Sequence, residues 1–183
     1  MFVDPSGKGK DQTAISCVKM LNGNLYVTEC LGLSGGYTDP VLDKISRLAK
    51  ENNINTILIE QNFGGGMFAE LLKPFISRIH PCQIEDIRNN KTKELRIIDT
   101  LEPVMNSHRL IIDRKVIEKD FRSNPQETPE RRLKLQLVYQ LSRISRHRGS
   151  LVHDDLVDSL AGAVAYWTDY MAQNEDLNMA RRQ

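Results

Sequence analysis

An α/β fold is predicted: a mixed five-stranded sheet flanked by helices, with an antiparallel meander of strands one to three and strands four and five parallel to the first. Three observations predict it. Two β-branched apolar runs, Thr13–Leu21 and Leu25–Leu33, flank Asn22-Gly23-Asn24, a hairpin signal. Apolar residues then recur at helical spacing in Val41, Ile45, Leu48 and Ala49. After that helix comes Thr56–Glu60, a short run apolar enough to be buried on both faces.

In chain order, Met1–Val3 reads as a truncated first strand, followed by the hairpin. Gly32–Gly36 ends that pattern; Thr38 or Asp39 caps the first helix, Pro40 sits in its first turn, and Glu51-Asn52-Asn53 closes it. Beyond the fourth strand, Phe63-Gly64-Gly65-Gly66 leads into a helix carrying Phe68, Leu71, Leu72, Phe75 and Ile79, and Gln83–Ile87 is the fifth strand. Lys91–Leu101 reads as a basic helix, Leu110–Asp113 as a short extended piece and Val116–Phe121 as a turn or two of helix. A turn-rich loop, 123–129, precedes Arg131–Arg148, which holds six arginines and lysines and no acid. Asp154–Ala172 is the last helix; Gln173–Gln183 is expected to be a mobile tail. A crossover helix makes the fourth strand parallel to its partner, so pairing with the first strand brings Asp4 and Glu60 out at one end of the sheet.

The 183 residues suit one domain, expected over 1–172, and 40% hydrophobic with 27% charged residues excludes a disordered chain. No apolar run approaches the roughly 20 residues of a membrane helix, and no secretory signal pattern opens the chain. Cys17, Cys30 and Cys82 are too scattered for a disulfide framework or zinc site, so a reducing cytosol is expected. The net charge of +1 says little; its distribution says more.

Acids punctuate the apolar elements: Asp4 ends the first strand, Glu60 the fourth, and Asp154, Asp155 and Asp158 open the last helix. Converging carboxylates repel unless a cation neutralises them, and all-oxygen donors favour Mg²⁺ or Mn²⁺ over zinc. Some of these acids have a plainer alternative: Asp4 as a turn former before Pro5, Asp154 or Asp155 as an N-cap; Glu60, ending so apolar a run, needs a partner. His153 reads as a loop residue or hydrogen-bond donor rather than a ligand. On the last helix Asp155, Asp158 and Gly162 share one face; Leu156, Leu160, Ala163, Val164 and Trp167 share the core face. Gly7-Lys8-Gly9-Lys10 is followed by Asp11 and a strand, not by Ser/Thr and a helix, which excludes a P-loop. Lys8 and Lys10 are candidate backbone contacts. Arg131, Arg132, Lys134, Arg143, Arg146 and Arg148 are a candidate phosphate track, and Arg88, Lys91, Lys93 and Arg96 a second basic cluster. Few aromatics lie among these charges, favouring sequence-tolerant backbone contact with double-stranded DNA.

Residues 3–13 (Val-Asp-Pro-Ser-Gly-Lys-Gly-Lys-Asp-Gln-Thr), Ile59-Glu60 and residues 153–161 (His-Asp-Asp-Leu-Val-Asp-Ser-Leu-Ala) together resemble the C-terminal nuclease domain of tailed-bacteriophage large terminase subunits, of the short-tailed phage type. The resemblance spans essentially the whole chain. It implies a ribonuclease H-like fold and a Mg²⁺/Mn²⁺-dependent endonuclease, with two ions, that cuts concatemeric viral DNA during packaging in the host cytoplasm. It implies metal ligation by Asp4, Glu60 and an acid of the Asp154–Asp158 group. Asp155 is favoured, because related domains can lack an acid at the Asp158 position, and Asp158 is second; Asp11 assists through water. An N-terminal packaging ATPase domain, the small terminase subunit, the portal and DNA are the implied partners, with no membrane, and no such ATPase domain is read in this chain. Two competitors stand beside this reading: a junction resolvase or integrase of the same superfamily, and a non-catalytic DNA-gripping or portal-docking module.

Overall fold

The computed structural model describes residues 1–6, 12–61, 66–88 and 92–180, with side chains through Gln173. The elements are β1 (Phe2–Asp4), β2 (Thr13–Leu21), β3 (Asn24–Leu33), α1 (Asp39–Glu51), β4 (Thr56–Glu60), α2 (Met67–Ile79) and β5 (Gln83–Ile87). There follow α3 (Lys93–Asn106), β6 (Leu110–Ile112), α4 (Arg114–Arg122), α5 (Pro129–Lys134), α6 (Leu137–Arg143) and α7 (Asp155–Ala180).

The sheet runs β5-β4-β1-β2-β3-β6. β1, β2 and β3 form the antiparallel meander, and β4 and β5 add in parallel beyond β1. The turn between β2 and β3 is made by Asn22 and Gly23, both with positive φ (51° and 77°), the backbone that a tight two-residue hairpin demands. A sixth strand corrects the five-strand expectation. The piece at Leu110–Ile112 pairs parallel with Leu25–Val27 of β3, and Arg109 ties it down through a bond from its Nε to the Gly23 carbonyl (2.7 Å). Three residues are too few to display the alternation that marks a strand.

Two cores lie on opposite faces. Strand periodicity sends Val3, Ile15, Ile57 and Ile59 toward α1 and α2. Phe2, Ala14, Val18, Leu25 and Leu58 face the other way, toward Ile97 and Leu101 of α3, Leu137 of α6 and Leu156, Leu160 and Val164 of α7. The same alternation places Asp4, two after Phe2, and Glu60, two after Leu58, on the α7 face.

Helix α7 is locked across this face. At Gly162 an added Cβ would sit 2.4 Å from the Phe2 ring, so glycine permits the close crossing of α7 over β1. Trp167 Nε1 donates to the Val18 carbonyl at 2.9 Å, and Ser159 Oγ donates to the Phe2 carbonyl at 3.4 Å. Gln140, buried in α6, accepts the Val157 amide at 3.0 Å and so fixes the first turn of α7. The helix continues to Ala180, beyond the expected end at Ala172. No helix among the described residues is long and apolar enough to cross a membrane.

Candidate metal centre

The register of β1 against β4 pairs Phe2 with Leu58 and Val3 with Ile59, so the next residues, Asp4 and Glu60, leave the sheet as neighbours. The turn after Asp4 is held back against β2: the Ser6 amide donates to Thr13 Oγ1 (3.2 Å), and the two hydroxyls lie 3.2 Å apart in the interior. From above, the first turn of α7 lowers Asp158. The three carboxylates offer oxygens that all lie within 4.8 Å of one another, and all three residues are buried, with Asp158 only 2% exposed.

The cost of this arrangement shows in the proton affinities. Burial, then Glu60 and Asp158, push the Asp4 carboxyl up to about 8, with Lys93 opposing and Asp155 adding a smaller push. Burial also raises Asp158 to about 6, against the pull of Lys93 and Arg96. Three buried acids that disfavour one another's charge make an environment that a hard divalent cation relieves. The donor set, all carboxylate oxygen without cysteine, fits Mg²⁺ or Mn²⁺.

Of the acids predicted on the last helix, the one inside the group is Asp158. Asp155, one turn earlier, is half-buried and acts on Asp4 only as the smallest of the named charges. Asp154 lies at the helix start, where its carbonyl accepts the Asp158 amide (2.9 Å) and its carboxylate meets Lys93. His153 is half-buried beside them and is not among the grouped ligands. Asp11, Lys8, Lys10 and Lys91 lie outside the described residues.

The basic residues divide in a way the sequence did not reveal. Lys93 and Arg96, one turn apart at the start of α3, both enter the acid cluster. Lys93 Nζ lies 2.8 Å from Asp154 Oδ1 and 3.2 Å from Asp158 Oδ2, while an Arg96 guanidinium nitrogen lies 2.7 Å from Asp158 Oδ1 and 3.5 Å from Glu60 Oε1. Burial opposes the Lys93 charge, but Asp158 and Asp154 outweigh it and the ammonium is held above its ordinary value. Their i, i+3 spacing after a strand at the acid end was the available signal. Arg88 donates to Gln61 Oε1 at 2.6 Å, on the exposed rim.

The supposed phosphate track is not a row of uncompensated charge. Acids from outside the stretch answer it: Arg131 pairs with Glu127 (3.1 Å), Lys134 with Glu130 (2.6 Å), and Arg146 with Asp99 (2.9 Å) and Glu102 (3.1 Å) of α3. Arg132 lies over the Phe121 ring and donates to the Phe121 carbonyl. Arg143 and Arg148 are exposed and, among the described residues, make no ion pair. The acids were invisible to a window that began at Arg131. Asp120 was also missed: buried, it accepts the Leu137 and Val138 amides (2.8 and 3.1 Å) and caps α6.

Known proteins share both the fold and the sequence pattern. The family described as "Terminase Bacteriophage T7, Ribonuclease H-like domain" matches residues 3–110, which carry Asp4, Glu60, Lys93 and Arg96. The large terminase subunit of Enterobacteria phage T3 is 38% identical over 166 residues, covering 91% of this chain and 28% of that protein. The chain thus spans little more than a quarter of that relative's length. Among solved structures, a mutant nuclease domain of the large terminase subunit of bacterial virus Sf6, with manganese and beta-thujaplicinol, aligns with a TM-score of 0.54 at 13% identity, over 89% of this chain and 86% of that one. A mutant of the Sf6 large terminase subunit with calcium gives 0.55 at 14% over the same shares. At such identity the likeness is one of fold, and it is the fold that the sheet order and α7 describe. With a family match over more than half its length and a relative of this identity, the chain belongs to the T7-type ribonuclease H-like domain family of phage large terminase subunits.

Proposed function

We propose that this domain is a metal-dependent DNA endonuclease that cuts concatemeric viral DNA during packaging, by hydrolysis supported by two divalent ions. The observation that carries the reading is the convergence of Asp4, Glu60 and Asp158, all buried, on one point at the end of the sheet. Lys93 and Arg96 offset the charge of this cluster only in part, since the Asp4 and Asp158 carboxyls stay raised beside them, and a divalent ion would neutralise the rest.

In this reading Asp4 and Glu60, fixed by strand register, and Asp158, fixed by α7, hold Mg²⁺ or Mn²⁺, with Asp155 at the rim. When bound, a pair of such ions lowers the pKa of an attacking water and stabilises the leaving oxygen of a phosphodiester. Asp4 supplies the oxygens most in need of a cation. Lys93 orients Asp158 from the side of Asp154. Arg143, Arg148 and the rim Arg88 are the exposed cations proposed to contact the DNA backbone, and they carry no sequence readout. Lys8, Lys10 and Lys91 keep their candidate role there. In a full-length subunit the partners proposed are the packaging ATPase domain, the small subunit and the portal, in the host cytoplasm.

Cleavage of supercoiled plasmid tests this directly, with Mn²⁺, Mg²⁺ or EDTA and with Asp4→Ala alongside wild type. Metal-dependent nicking and linearisation by wild type, absent in a folded Asp4→Ala, is expected. Equal cleavage by the variant, or cleavage in EDTA, would overturn the proposal.

A further inference from the structure

We infer that Arg96 is an internal counter-cation that seats itself on the metal ligands and is displaced when metal binds, so that its departure sets the metal affinity of the site. The inference rests on the metal-site reading above and goes beyond it.

Arg96 reaches the cluster from α3, an element that supplies no ligand. Its guanidinium contacts two of the three grouped carboxylates, Asp158 at 2.7 Å and Glu60 at 3.5 Å. It thereby takes up one oxygen on each of two carboxylates of the proposed metal site. The positive guanidinium repels a divalent cation at this distance, and its bond to Asp158 Oδ1 competes with the ion for lone pairs on that carboxylate. The seat is also imperfect: Arg96 Nε is buried and has no hydrogen-bond partner among the described residues, so the planar fork is not fully used.

There is a place for Arg96 to go. It lines a cavity of about 420 Å³ bounded by Phe2, Ile87, Gly162, Tyr166 and Asp169. Gly162, Ala165 and Asp169 line it along α7, one of them a second carboxylate, and Asp158 lies one turn before Gly162 on the same helix face. Rotation of the Arg96 side chain exchanges Asp158 for this space without moving α3. Lys93 differs: its shorter contact is to Asp154, outside the grouped ligands, and it stays in place.

The test is calorimetric titration of Mn²⁺ into wild type, Arg96→Ala, Arg96→Lys and Lys93→Ala, paired with thermal melts in EDTA. A protein whose competent state is held back by a competing cation binds more weakly in proportion to the occupied fraction, so releasing it strengthens binding by roughly ten- to a hundred-fold. Arg96→Ala is therefore expected to bind Mn²⁺ at least tenfold more tightly while melting lower in EDTA, because Asp158 and Glu60 are deprived of their counter-charge. Arg96→Lys should fall between, and Lys93→Ala should change Mn²⁺ affinity less. Unchanged or weaker Mn²⁺ binding by a folded Arg96→Ala overturns the inference and leaves the metal site standing. No Mn²⁺ binding by wild type overturns both. A crystal structure of wild type with Mn²⁺ covers the case in which the variant fails to fold. Arg96 turned into the cavity supports displacement, and Arg96 still on Asp158 beside bound ions refutes it.

Discussion

Asp4 is held where its charge is least welcome. The folded, metal-free protein keeps a proton on Asp4 up to about pH 8 and on Asp158 up to about pH 6, whereas an unfolded chain releases both near 3.8. Unfolding then releases protons, so stability is full below the unfolded value and declines as pH climbs through the folded ones. Thermal melts in EDTA should therefore fall from about pH 4 to about pH 8, and saturating Mn²⁺ should flatten that slope. A metal-free melting temperature that rises over this interval would contradict the assignment. Replacing the acid gives the complementary result. Asp4→Asn keeps the shape and is neutral without taking up a proton on folding, so at neutral pH in EDTA it should melt a few degrees higher than wild type while losing Mn²⁺ binding.

At the scale of the element, α7 carries the third acid of the cluster, and its placement depends on two features of different visibility. The apolar stripe of Leu156, Leu160 and Val164 is plain in the sequence, and each buried side chain contributes ~1.5–3 kcal/mol to docking. The close crossing at Gly162 is not plain, because only the fold reveals that the Phe2 ring lies beneath it. Gly162→Ala is expected to destabilise by about 1–3 kcal/mol through overpacking and to weaken Mn²⁺ binding by lifting Asp158, both measurable by denaturation and titration. Unchanged stability would show that the crossing has slack. Asp120 acts similarly at the start of α6. Asp120→Ala leaves the Leu137 and Val138 amides unmet and should cost about 1–3 kcal/mol in chemical denaturation. Nothing in the sequence near Asp120 signals this, since its partners lie on the next helix but one.

For the whole molecule, the legible part was what local periodicity and element order determine. The meander, the crossover and the meeting of Asp4 with Glu60 follow from strand alternation and parallel register, both readable along the chain. Three things were not readable: the sixth strand, too short to show a period; the grouping of Asp158 with Asp4 and Glu60, set by the rotation of α7 on its packing stripe; and the pairing of the basic stretch. That stretch looked uncompensated because its acids come from Glu127, Glu130 and the distant Asp99 and Glu102. DNA binding should reflect the pairing. Arg143→Ala with Arg148→Ala should lower the salt dependence of plasmid binding by about one in log–log slope for each phosphate no longer neutralised. Arg146→Ala should change it less; an equal effect would show that the ion pairs open on DNA.

Asp4, Glu60 and Asp158 are proposed to act together in holding the ions that cut DNA. The most direct measurement is the Mn²⁺-dependent plasmid cleavage rate of Asp4→Asn, Glu60→Gln, Asp158→Asn and Asp155→Asn, each verified as folded. The expected result is a fall of about a hundredfold or more for the first three, as for groups that act as a unit, and a much smaller fall for Asp155→Asn. Wild-type rates in Asp158→Asn with an inactive Asp155→Asn would move the third ligand one turn back along α7, and undiminished cleavage in all four would contradict the metal-site assignment altogether.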